Sequence, residues 1–204
     1  MIKEKIQISN DRLALINALK QLLADLNNLG PIPNNVVKKE CYIAYTGQTS
    51  ELHIPTDFSL YDYAIKFFNI IAKFQDSNIL KPNLLADKTS FNELSAHITN
   101  SGRCYCGWVR AKPGETVTEE NVFLGDVFGL YTLPIKRFKE CVNDPKTADR
   151  DWINWAVQIY QLQNFLKSHV EPTKALITTI LFNEERAKRG IMDRFFDKMA
   201  ARKK

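Results

Sequence analysis

Five leucines set the first constraint on this chain. Leu15, Leu19, Leu22, Leu26 and Leu29 recur at alternating spacings of four and three, which gathers them on one face of a helix. Ser9, Asn10 and Asp11 precede them as cap formers. Gly30, Pro31 and Pro33 follow, a C-terminal cap and then two residues that cannot continue a helix. The spacing therefore predicts an amphipathic helix over 9–29 whose leucine face must be covered. Two heptads are short for a coiled-coil dimer, so the expected cover is the chain's own core.

The same reading yields further helices. Over 56–75, Leu60, Ala64, Phe67, Phe68, Ile71 and Phe74 share a face that Tyr61, Ile65 and Ile70 widen, so this helix is expected to be central. Ser90-Phe91-Asn92-Glu93 has the spacing of a capping box and predicts a helix of about ten residues ending near Gly102. Thr132 is read as the cap of a short helix through Pro134 to Val142. Asp149 opens a helix over 150–169 with Trp152, Trp155, Ala156, Ile159, Leu162 and Leu166 in one stripe. Pro172 is placed at the start of the last helix, with Leu176, Ile177, Ile180 and Leu181 facing inward. Those two helices are expected to form an antiparallel hairpin, and Gly190 to allow a kink or break.

Between the helices the residue types change. Residues 41–45 and 51–54 flank a turn at Gly47 and predict a hairpin, while 103–110 and 117–131 are rich in aromatic and β-branched residues. The resulting fold class is α+β and predominantly helical: a small antiparallel sheet from these regions, covered by five or six helices and ending in a long helical hairpin. With 204 residues, no internal repeat and no long linker, the chain is expected to be a single domain with a C-terminal basic helical extension at 186–204. The N-terminus lacks the apolar run of a signal peptide and no run suffices for a bilayer span, so a cytoplasmic location and no membrane insertion are expected. Cys41, Cys104, Cys106 and Cys141 are expected to be thiols, because a chain of this size needs no disulfide framework.

Catalytic patterns are sparse. The one-residue gap between Cys104 and Cys106 is unlike the two-to-four-residue gaps of structural zinc sites, and no metal or cofactor is expected. Glu93 and His97 lie four apart on the predicted short helix, close enough for the acid to orient the imidazole. His53 reads as an ordinary strand residue, and His169 as a helix C-terminal residue favoured by the dipole. No GxxxxGK[ST] loop is present, and Gly125-Asp126-Val127-Phe128-Gly129 lacks the third glycine of a dinucleotide fingerprint. Asp144, Asp149, Asp151 and Glu184-Glu185 read as caps and solvated acids.

One feature stands apart. Residues 186–204 carry eight basic residues against two acidic ones, a net charge of +6, whereas the whole chain is +5. The rest of the chain is therefore nearly neutral. Ile191, Met192, Phe195, Phe196 and Met199 fall within an arc of roughly 140° on a helix, with Arg194 and Lys198 opposite. A basic amphipathic helix of this kind suits an acidic protein or nucleic acid. Asp193 and Asp197 weaken a membrane-surface reading. A stacking platform from Arg103, Tyr105, Trp108 and Arg110 is weakened because Tyr105 and Trp108 face opposite ways on a strand.

The functional expectation is a non-enzymatic interaction subunit or adaptor of a larger cytoplasmic assembly. Its partner-binding residues are Arg186, Lys188, Arg189, Arg194, Phe195, Phe196, Lys198 and Arg202, its first candidate partner is a protein and its second a nucleic acid. The alternative is a small enzyme with an unmotifed pocket using His97, Glu93 and Cys104 or Cys106.

Overall fold

The computed structural model describes residues 2–34, 37–43, 45–54, 59–75, 84–102, 115–120, 123–125, 132–134, 136, 144, 146 and 149–201; for 2–9, 149–158, 191–201 and several element ends it describes the backbone alone. The elements are α1 (Ile2–Asn28), β1 (Val37–Ile43), β2 (Gln48–Ile54), α2 (Ser59–Gln75), α3 (Lys88–Gly102), β3 (Phe123–Gly125), β4 (Thr132–Pro134) and α4 (Asp149–Ala201). The fold is α+β and mostly helical, with four helices rather than five or six among the described residues.

The leucine face of α1 and the apolar face of α2 are buried as expected, but α1 begins at Ile2, so the expected caps Ser9, Asn10 and Asp11 lie inside the helix. Leu15, Leu19, Leu22 and Leu26 are at most 2% exposed. Gly30 ends the helix with φ at +70°, the left-handed conformation glycine adopts without a Cβ penalty. In α2, Leu60, Tyr61, Tyr63, Ala64, Phe67, Phe68, Ile71 and Phe74 are all buried, an arc of roughly 160° at 100° per residue. That width makes α2 the central helix, as expected. Helix α3 starts at Lys88 rather than after a Ser90 cap, because Asp87 takes the capping role: the Ser90 amide donates to its Oδ1 at 3.0 Å.

Two strand pairs occur among the described residues. β1 and β2 pair antiparallel from Val37 opposite Ile54 to Ile43 opposite Gln48, closing through Gly47 at φ +66°. β3 and β4 form a separate antiparallel pair, Phe123 opposite Pro134, and among the described residues the two pairs do not join into one sheet. Thr132 and Pro134, expected to open a helix, are strand residues. Most of the rest of that expected helix, and all of 103–114, lie outside the described residues.

The largest correction concerns the expected helical hairpin. α4 is one helix of 53 residues that runs through both Pro172 and Gly190. Ile159, Gln163, Leu166, Val170, Thr173, Ile177, Ile180 and Glu184 are each 0–6% exposed, and their spacing alternates four and three without interruption across the proline. Turning the chain at His169 would have split that seam. The proline's missing amide and ring clash cost about 3 kcal/mol in a helix interior, whereas each large apolar side chain kept buried contributes about 1.5–3 kcal/mol. Several such residues on each side outweigh one proline.

α1 runs antiparallel to α4. Arg12 near the start of α1 meets Glu184, and the loop just after α1 meets Gln163, whose Nε2 donates to Pro33 O at 3.3 Å and Asn34 Oδ1 at 2.8 Å. One core cluster joins the leucines of α1 to α2, α3, α4, Cys41 of the hairpin and Val117. Asn69 of α2 holds Val117 from both sides, its Nδ2 donating to the Val117 carbonyl at 2.8 Å and its Oδ1 accepting from the Val117 amide at 2.8 Å. An amide side chain thus takes the place of a neighbouring strand for this segment.

Candidate interaction surface

Counting back by three from Leu15 reaches Arg12, so the ion pair between Arg12 and Glu184 occupies a seam position on both helices. The Arg12 Nε and Nη2 donate to Glu184 Oε2 at 2.8 and 2.6 Å. The Glu184 side chain is 3% exposed and that of Arg12 33%. The second carboxylate oxygen accepts from the Ala86 amide at 2.7 Å, so Glu184 is satisfied from three directions by α1 and the segment before α3. Next to it, Asn183 Nδ2 donates to Asp87 Oδ2 at 2.5 Å. Bonds from Asn183 and from the Ser90 amide hold the Asp87 carboxyl below its ordinary range. A slip of α1 along α4 would leave both seam charges without their partner, so this pair fixes register.

Beside the pair lies an open cleft of about 380 Å³ between α1 and α4. Leu13, Ile16 and Leu181 form its apolar lining, with Lys20, Glu185 and Lys188 around it. Leu13 is 57% exposed, a large apolar side chain left in water at the edge of a groove. Phe182, 58% exposed, is not part of this lining and carries the Arg186 guanidinium 5.8 Å from its ring centroid, a cation–π contact.

The expected partner-binding residues fall in two groups. Arg186, Lys188 and Arg189 are exposed on α4. Arg194, Phe195, Phe196 and Lys198 belong to the last turns of the same helix, whose backbone is described to Ala201, and Arg202 lies outside the described residues. Gly190 does not break the helix. At 100° per residue Ile191, Phe195 and Met199 fall within about 50° of the mean direction of the seam, so the sequence keeps apolar residues on that side beyond Gly190. What changes is the charge: most of the charged residues in that stretch are basic while the helix continues.

The residues of the enzyme alternative do not converge on one described site. His97 and Glu93 lie on α3, Glu93 exposed, and Cys104 and Cys106 lie outside the described residues. His97 meets His169 edge-on, ring centroids 5.7 Å apart. His169 stacks on Phe165 at 4.1 Å, and its Nδ1 lies 2.9 Å from the Phe165 carbonyl. His169 is therefore a mid-helix packing residue, not a helix C-terminal one. Burial first, and the neighbouring His97 to a smaller extent, lower its pKa from 6.5 against the opposing bond to Phe165. No group of three or more His, Cys, Asp or Glu suited to a metal ion occurs among the described residues. Nor is any helix among them long and apolar enough to cross a membrane.

Comparison of the chain with known protein families, with characterised proteins and with solved structures finds no match. The cleft and the seam ion pair were not anticipated from the sequence. Their signal was Arg12 standing three residues before the first seam leucine and Leu13 standing off the leucine face.

Proposed function

We propose that this protein is a non-enzymatic interaction subunit of a larger cytoplasmic assembly, engaging an acidic protein through the basic C-terminal stretch of α4. The observation that carries this reading is the concentration of positive charge after Glu184. Up to that residue the buried seam shows what α4 is built to pack against. Beyond it, the helix continues to Ala201 and residues 186–204 carry a charge of +6. At 1.5 Å per residue α4 runs about 25 Å beyond Glu184, whereas α1 runs about 15 Å beyond Arg12. A helix that outruns its partner and collects charge there suits recognition by electrostatic steering.

A protein partner is favoured over a nucleic acid because the exposed apolar residues at this end, Leu13 and Phe182, suit side-chain packing rather than phosphate contact. The test is recovery of partners from the cell of origin, with and without nuclease and at two salt concentrations, using the wild type and a variant carrying Arg186→Glu, Lys188→Glu and Arg189→Glu. The reading expects a nuclease-resistant partner that the variant does not recover. Identical recovery by both proteins contradicts it.

A further inference from the structure

We infer that the cleft between α1 and α4 is the seat of an acidic amphipathic helix supplied by a partner protein. This rests on the acidic-partner reading above and adds where, and by what contacts, the partner is held. Two antiparallel helices form a groove that a third helix can enter at the shallow crossing angle of bundle packing. Here that groove is open, and it runs from Arg12 to Lys20 on one wall and from Leu181 to Lys188 on the other. Each wall is about 10–12 Å long at 1.5 Å per residue, enough to receive about two turns of helix. Leu13 and Ile16 face Leu181 across it, so a seated helix must present apolar residues at three-four spacing.

Charge selects the flanks of that helix. Arg12 and Glu184 neutralise each other at 2.6 Å. The cleft is then left with two exposed cations, Lys20 and Lys188, against one exposed anion, Glu185. Arg186 and Arg189 are exposed nearby, and the helix leads on into the strongly basic final segment. Asp or Glu beside the apolar stripe complements this setting. A second copy of the chain would bring its own basic end against this one, which like-charge repulsion opposes. A nucleic acid would set bases against an aliphatic floor that offers no stacking surface.

The probe is a fluorescein-labelled synthetic peptide of about three heptads, leucine at alternating three-four spacing and glutamate on the flanks, measured by fluorescence anisotropy against the full-length protein. A control peptide has the same composition with the leucine stripe scrambled. The inference predicts that the striped peptide binds at least about tenfold more tightly than the scrambled one. It predicts that Leu13→Asp weakens the striped peptide at least about tenfold, as truncation of an interface anchor does. The Lys20→Glu/Lys188→Glu pair should weaken it similarly. Both variants change exposed positions, and circular dichroism confirms that they fold. Equal binding of the two peptides, no binding of either, or a Leu13→Asp protein that binds like wild type overturns the groove. So does displacement of the striped peptide by a single-stranded oligonucleotide as effective as unlabelled peptide. If Arg194→Glu/Lys198→Glu abolishes binding of both peptides while Leu13→Asp has no effect, the groove fails and recognition by the basic end survives. If partner recovery from cells is unaffected by the basic-end variants, the functional reading fails on its own.

Discussion

Glu184 shows how much one side chain can organise. It is buried and accepts from Arg12 twice and from the Ala86 amide once, so its removal orphans a guanidinium and a backbone donor together. Breaking a buried pair costs about 3–5 kcal/mol, and the one-third exposure of Arg12 lets water recover part of that. Glu184→Ala is expected to lower the unfolding free energy by about 2–3 kcal/mol in urea titration, whereas exposed Glu185→Ala stays within about 0.5 kcal/mol. Equal effects would show that the pair does not tie α1 to α4. His169 gives a pH signature. Its folded pKa lies below 6.5, so the folded state binds fewer protons than the unfolded chain in that window. The stability this confers is complete above about pH 6.5 and is lost as pH falls through the lowered value. Between about pH 7.5 and about pH 5.0, His169→Gln should show a shallower loss of unfolding free energy than wild type; an unchanged slope would remove His169 as its source.

The long helix α4 contains two residues that usually interrupt helices, Pro172 and Gly190. Pro172 leaves the Ser168 carbonyl without the amide that would normally reach it from four residues on. Pro172→Ala restores that donor and removes the ring clash, at the loss of some half-buried ring surface. A net gain of about 1–2 kcal/mol in unfolding free energy is expected; a loss would mean that the proline shapes the helix to its neighbours. Gly190 is helical, and a Cβ built there meets nothing within 4 Å. Gly190→Ala should therefore stabilise by about 0.5–1 kcal/mol, read as a raised melting temperature and undiminished helicity. Helix faces were legible from apolar spacing, as at Leu15 to Leu26, and Asp149 marked the start of α4; Ser9, Asn10 and Asp11 did not mark the start of α1, because cap-forming residues also occur inside helices. The join across Pro172 was also written in the spacing, since Leu166, Val170, Thr173 and Ile177 keep the three-four alternation. A proline near a histidine and a glutamate reads locally as a helix start, and that local punctuation masks the continuing seam. Thr132 misled in the same way, as a hydroxyl residue before a proline suits a cap and a strand end alike.

For the whole molecule, the question is how a nearly neutral body and one basic end divide their roles. The body is held by a shared apolar core and by three polar fasteners, Asn69, Gln163 and Glu184, each reaching a loop or neighbouring segment. The charge arithmetic that singled out 186–204 needed only composition along the chain. The cleft was not legible, because it depends on two helices separated by more than a hundred residues lying antiparallel in one register. Within that register Arg12 meets Glu184, a pairing that the leucine pattern does not encode. If the basic end is the recognition surface, its contribution must be electrostatic at long range and therefore screened by salt. The most direct test is the dissociation constant of a purified nuclease-resistant partner, measured from about 50 to about 300 mM salt, for wild type and for Arg186→Glu/Lys188→Glu/Arg189→Glu. The account predicts that wild-type affinity falls at least about tenfold over that range and that the variant binds at least tenfold more weakly at low salt, with a flatter salt dependence. Equal affinity and equal salt dependence in the two proteins would contradict it.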